Sequence, residues 1–67
     1  MTYFQILIIS NQGAILKRFN AGTDYKSAVQ AMHYLAQACP CIYPLAHKLK
    51  LIGTLDGNVV TVRYREV

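Results

Sequence analysis

A single helical stripe sets what this chain can fold into. From Tyr25 the apolar residues recur at Ala28, Val29, Met32, Leu35, Ala36 and Cys39. That spacing puts them on one face of an α-helix. Lys26, Gln30, His33 and Gln37 fall together on the polar side, with Ser27 and Tyr34 on the back. The Thr23 hydroxyl can cap the first turn, and Asp24 suits its positive end. Pro40 disfavours helical geometry at the residue before it, so the helix is expected to stop near Cys39. A helix with one face to bury needs a second layer, and a sheet supplies it.

The flanking segments read as that sheet. Thr2 to Ile9 is rich in aromatic and β-branched residues, Ser10-Asn11-Gln12-Gly13 is a turn cluster, and Ala14 to Phe19 completes a hairpin. Asn20-Ala21-Gly22 breaks it before the helix. After an irregular connector with Pro40 and Pro44, and a short turn over Leu45 to Lys48, Leu49 to Leu55 reads as a third strand. Asp56-Gly57 is a strong two-residue hairpin signal, and Asn58 to Arg65 is the fourth strand. The expectation is an α+β fold of order ββαββ, one helix packed on a four-stranded antiparallel sheet. The strand order is not readable from the sequence. Residues 1–67 are expected to form a single small domain.

Size bounds the function. A chain of 67 residues buries only about 60% of the surface it exposes when unfolded. A cleft of roughly 300–1,000 Å³ beside an intact core is out of reach. Multi-domain enzymes, dinucleotide-binding domains and barrels are excluded, and no enzymatic activity or cofactor is expected. With 54% hydrophobic and 15% charged residues, a disordered tail is excluded too. Ile6 to Ile9 is far short of the ~20 apolar residues of a spanning helix. It has neither a basic leader nor a cleavage site, so Met1 to Gln5 is not expected to begin a signal peptide. Cys39 and Cys41 are too close for a disulfide between them to restrain much chain. A reducing cytoplasm is therefore expected, a host's if the protein is phage-encoded.

Four residues form a symmetric pattern of metal-ligating types: His33, Cys39, Cys41 and His47. Two thiolates and two imidazoles can in principle hold zinc. His33 and Cys39, however, lie ~9 Å apart along a helix, and the spacing matches no common finger. The expectation is a core Cys39, a loop Cys41 and two surface histidines, with no metal. Cys41 beside His47 is also weighed as a nucleophile and base, but no carboxylate stands out to orient it. Asp24, Asp56 and Glu66 are scattered and form no acid–base pair.

The formal charge of +4 is the remaining lead. With Asp56-Gly57 as the turn and a regular ladder, Lys50 faces Arg63 and Lys48 faces Arg65. One sheet face then carries Leu49, Leu51, Gly53, Leu55, Val60, Val62 and Tyr64 toward the helix. The other carries Lys48, Lys50, Ile52, Thr54, Val59, Thr61, Arg63 and Arg65. A shift of one residue would reverse these assignments. Of Lys17 and Arg18 only one can join the patch, and Lys17 is placed with it. No aromatic is expected on this basic face. It is either an anion-binding surface or a solvated face that discourages edge aggregation.

The first strand is apolar on both sides, with Phe4, Ile6 and Ile8 one way and Tyr3, Gln5, Leu7 and Ile9 the other. A helix covers only one face, so a partner or a second copy is expected over the other. Tyr34 on the outward side of the helix and Tyr43 on the connector are further contact candidates.

Size and layout are similar to those of small ββαββ inhibitors encoded by phages and mobile elements, a likeness of layout alone. The expected function is a non-enzymatic binding module, an inhibitor or regulator that occludes a surface of a nucleic-acid-handling protein or complex. Its binding residues would be Lys48, Lys50, Arg63, Arg65, Lys17 and Tyr34. The alternative is direct nucleic-acid binding by the basic hairpin face as a homodimer. No membrane partner is expected.

Overall fold

A computed structural model describes residues 2–67; Met1 lies outside the described residues. The elements are β1 (Tyr3–Ser10), β2 (Ile15–Asn20), α1 (Tyr25–Ile42), β3 (Ala46–Leu55) and β4 (Asn58–Glu66). The four strands form one antiparallel sheet in the order β2-β1-β3-β4, with α1 across one face. This is the expected α+β, ββαββ architecture. The strand apolar on both sides, β1, is central, as its composition demands.

Local chemistry fixes the turns. Ser10 closes the first hairpin: its hydroxyl accepts from the Gln12 and Ala14 amides at 3.3 and 3.2 Å. The second turn has positive φ at both central residues, Asp56 at 52° and Gly57 at 82°. That pair of values is what a type I′ hairpin turn needs, and it matches the strand twist. The helix cap is Asp24 rather than Thr23. Its carboxylate accepts from the Ser27 amide at 3.0 Å and the Ser27 hydroxyl at 2.8 Å.

The helix also ends later than expected. It runs through Pro40 to Ile42, and the Tyr43 amide donates to the Cys39 carbonyl at 2.7 Å. Proline removes one donor to the preceding turn, but in the last turn only that bond is lost. Cys41 therefore sits on the helix, not in a loop. The connector shortens in turn, and β3 begins at Ala46 instead of Leu49.

Ala28, Met32, Ala36 and Cys39 form the buried helix stripe. They pack on Phe4, Ile6, Ile8, Leu49 and Leu51, with Leu16, Phe19, Val29, Leu35 and Tyr43 around the rim. Edge-on ring contacts join Phe4 to Tyr25 and Phe19 to Tyr43 at 5.9 and 6.4 Å between centroids. Tyr43 is thus half-buried in the rim of the core.

A second apolar cluster lies on the face the helix does not cover. Leu7, Ile9 and Ile52 are only 6%, 8% and 6% exposed there. Their cross-strand neighbours on that face include Arg18, Lys48 and Lys50, whose aliphatic stems can lie along apolar surface. These three residues of the outer face of β1 and β3, where a partner or second copy was expected, are thus largely covered within the chain.

Candidate functional site

The register of β4 decides what the open face presents. From the turn, Leu55 pairs with Asn58, Thr54 with Val59, Gly53 with Val60 and Ile52 with Thr61, as a regular ladder requires. The register then shifts. Leu51 pairs with Arg63, Lys50 with Tyr64, Leu49 with Arg65 and Lys48 with Glu66. Val62 is the extra residue of a β-bulge.

Two causes favour this bulge. The regular ladder would place Lys50 against Arg63 and Lys48 against Arg65, and like charges directly opposed repel. The bulged ladder replaces these with Lys50–Tyr64 and Lys48–Glu66. The second cause is Gly53. Val62 Cγ2 comes within 3.4 Å of where a Cβ on Gly53 would stand, and Phe4 Cε1 is equally close. The missing side chain leaves the space that the bulged strand fills, a common role for glycine inside a strand.

The bulge overturns the expected basic face. Lys48 and Lys50 lie on the open face, whereas Arg63 and Arg65 lie on the helix side, opposite the core residues Leu51 and Leu49. Tyr64 moves the other way, from the expected helix side to the open face. The same logic corrects Lys17. It pairs with Ile8 on the helix side, while Arg18 pairs with Leu7, which pairs with Lys50. Arg18, Leu7, Lys50 and Tyr64 therefore make one row across the open face, from one sheet edge to the other.

Within that row Tyr64 is gripped by lysines. Lys48 Nζ lies 4.8 Å and Lys50 Nζ 5.8 Å from the centre of its ring. Both are within the range of cation–π attraction. Tyr64 nevertheless remains 54% exposed. Tyr3, 62% exposed, pairs with Thr54 on the same face. Register offsets place it about 16 Å from Tyr64. Gln5, Asn20, Ile52 and Thr61 make the row between them. Among the described residues the open face thus carries three cations, two exposed aromatic rings, an amide pair and one carboxylate, that of Glu66.

Arg65 has a structural task on the other side. Its guanidinium donates to Nδ1 of His33, tying the polar flank of α1 to the β4 edge. Sequence reasoning placed His33 at the surface without a partner. Cys39 is in the core, where burial pushes its thiol pKa up. Cys41 is exposed two residues further along the helix, and His47 is exposed on β3. Among the described residues no group of three or more His, Cys, Asp or Glu side chains is placed to hold a metal ion, and no pocket forms. Tyr34 is on the outward side of α1, as expected, and is 74% exposed.

Sequence reasoning missed Tyr64 and Arg18 as members of the open face. Two signals for the bulge were in the sequence: an isolated glycine within a strand pattern, and the repulsion of a regular ladder. Comparisons of the chain with protein-family models, with curated proteins and with solved structures find no match.

Proposed function

We propose that this protein is a small non-enzymatic module that binds single-stranded nucleic acid on the open face of its sheet. The observation that carries the reading is Tyr64, held on that face between Lys48 and Lys50. Single-strand binders combine cations that follow the phosphates with aromatic rings on which bases stack. Here Arg18, Lys48 and Lys50 supply the charge, and Tyr64 and Tyr3 supply the rings. The apolar floor of Leu7, Ile9 and Ile52 suits bases better than water once the cationic stems swing toward phosphates. A cytoplasmic location belongs to the same proposal. Cys39 and Cys41, two apart on a helix, do not face each other and suit a compartment that keeps thiols reduced. Among the described residues no helix is long and apolar enough to cross a membrane.

Fluorescence anisotropy of labelled single-stranded and duplex oligonucleotides at two salt concentrations tests this. Single strands are expected to bind more tightly, and more weakly as salt rises. Tyr64→Ala is expected to weaken binding by about 5- to 150-fold, the worth of one stacked base. Replacing Lys48 and Lys50 by Gln is expected to flatten the logarithmic salt slope by about 1.4, from roughly 0.7 per phosphate contact. Absence of binding at low salt would reject the reading.

A second reading, occlusion of a protein surface, is favoured by outward apolar side chains on the C-terminal half of α1 and in the connector that follows it. Tyr34 and Leu45 are each 74% exposed and Ile42 61%. Affinity capture from the source cell that is lost with Tyr34→Asp, but kept with Tyr64→Ala, would select this reading over the first.

A further inference from the structure

The open face holds only part of the second hairpin's charge. Arg63 and Arg65 rise on the helix side of β4, opposite Leu51 and Leu49. Tyr64 stands between them in the chain and points to the other face. The two arginine backbones therefore lie about 3.4 Å before and after the tyrosine along the strand. β4 is an outermost strand, so only its own backbone separates the ring from the two guanidinium groups. The helix leaves this side of β4 open: Val60 is 61% exposed, and Arg63 is exposed as well. Arg65 is half-buried and donates to an imidazole nitrogen, Nδ1 of His33, rather than to a carboxylate. The chain's acidic side chains lie elsewhere. Asp24 binds Ser27 at the start of α1, Asp56 is in the hairpin turn, and Glu66 is on the open face opposite Lys48.

We propose that a strand stacked on Tyr64 bends over the free edge of β4 and sets its neighbouring phosphates against Arg63 and Arg65. The inference rests on the single-strand reading above and deepens it, giving the strand a path and two further phosphate contacts. Continuity argues for phosphate as the anion. A base on Tyr64 has a phosphate on either side of its sugar, and the sheet ends at that ring. Backbone running inward meets Lys50 and Lys48. Backbone running outward has only the β4 edge ahead of it, and the arginines lie just beyond. Guanidinium forks take phosphate oxygens two at a time. The bond to His33 uses one donor of Arg65 and leaves the rest of its fork. It also holds that side chain in place before any strand arrives, which lowers the ordering cost of binding.

The test is the salt dependence of binding, read by anisotropy with a labelled thymidine oligomer of about twelve nucleotides. Arg63→Gln, at an exposed position, is expected to flatten the logarithmic salt slope by about 0.7, and Arg63→Gln combined with Arg65→Gln by about 1.4. Lys17→Gln removes a cation from the helix side of the opposite edge strand and should leave the slope unchanged. Circular dichroism should confirm that each variant is folded; if the double variant is not, Arg63→Gln alone decides. A wild-type slope in folded Arg63→Gln overturns the proposal while leaving the single-strand reading standing. Equal flattening by Lys17→Gln does the same, because it would mean a response to overall charge. Failure of the wild type to bind the oligomer at low salt overturns both.

Discussion

At the scale of single residues, Gly53 has the widest consequences. Its bare Cα lies beneath Phe4, Thr2 and Val62, which a Cβ would meet at 3.3–3.4 Å. Gly53→Val adds two further methyl groups to that contact. It is expected to cost about 1–3 kcal/mol in urea unfolding, the usual range for overpacking. Asp24 acts through charge. Its hydrogen bonds from Ser27 hold the carboxyl pKa below the usual aspartate range. A lowered folded pKa contributes stability above the unfolded pKa, and that contribution is lost as pH falls through the folded value. Asp24→Ala should therefore lower the thermal midpoint at about pH 7. The gap to wild type should narrow as pH falls through that lowered folded value. A gap that stays the same size as the solution is acidified would show that the carboxylate is not the source.

At the scale of elements, the sheet has two unlike apolar faces. Leu51 is wholly buried beneath α1, among residues that cannot relax without moving the helix. Leu7 is buried on the open face beside Arg18 and Lys50. Their flexible stems can settle into any space that opens. Leu51→Ala is thus expected to cost about 2–5 kcal/mol, the range for core leucines. Leu7→Ala should cost visibly less, and paired urea titrations would decide. Equal costs would mean that the open face is packed as rigidly as the core. The β-bulge belongs to this scale as well. It inserts one residue, Val62, and thereby exchanges Tyr64 for Arg63 and Arg65 on the open face.

For the whole molecule, the principal-axis extents of 33 × 22 × 15 Å describe a thin two-layer body. Its centre is β1 and β3, each hydrogen-bonded on both sides, while β2 and β4 have one free edge each. Amide exchange followed by NMR should find the slowest protons in β1 and β3, and fast exchange at the outward amides of β2 and β4. A β4 as protected as β1 would point to a second chain paired on that edge, where Val59, Val60 and Val62 are exposed. That outcome would indicate self-association at the edge of the sheet.

Much of this architecture is legible locally. The stripe from Ala28 to Cys39, the Asp56-Gly57 turn and the Ser10–Gly13 turn each lie within a few neighbouring residues. Hydrogen-bond geometry and helical or strand period act at that range, so the sequence by itself determined the elements and their order. The faces of β4 are a different matter. Period two says that Tyr64 and Arg63 point opposite ways, but which of them faces the helix is set by pairing with β3. That pairing turns on the repulsion between Lys50 and Arg63 in the regular ladder, and on the space above Gly53 that Val62 fills. Both are contacts between strands, made only once the hairpin is closed and packed. For the same reason Arg18 rather than Lys17 belongs with the open-face lysines. The tertiary structure alone decided which cations share a face, and that an aromatic ring stands among them.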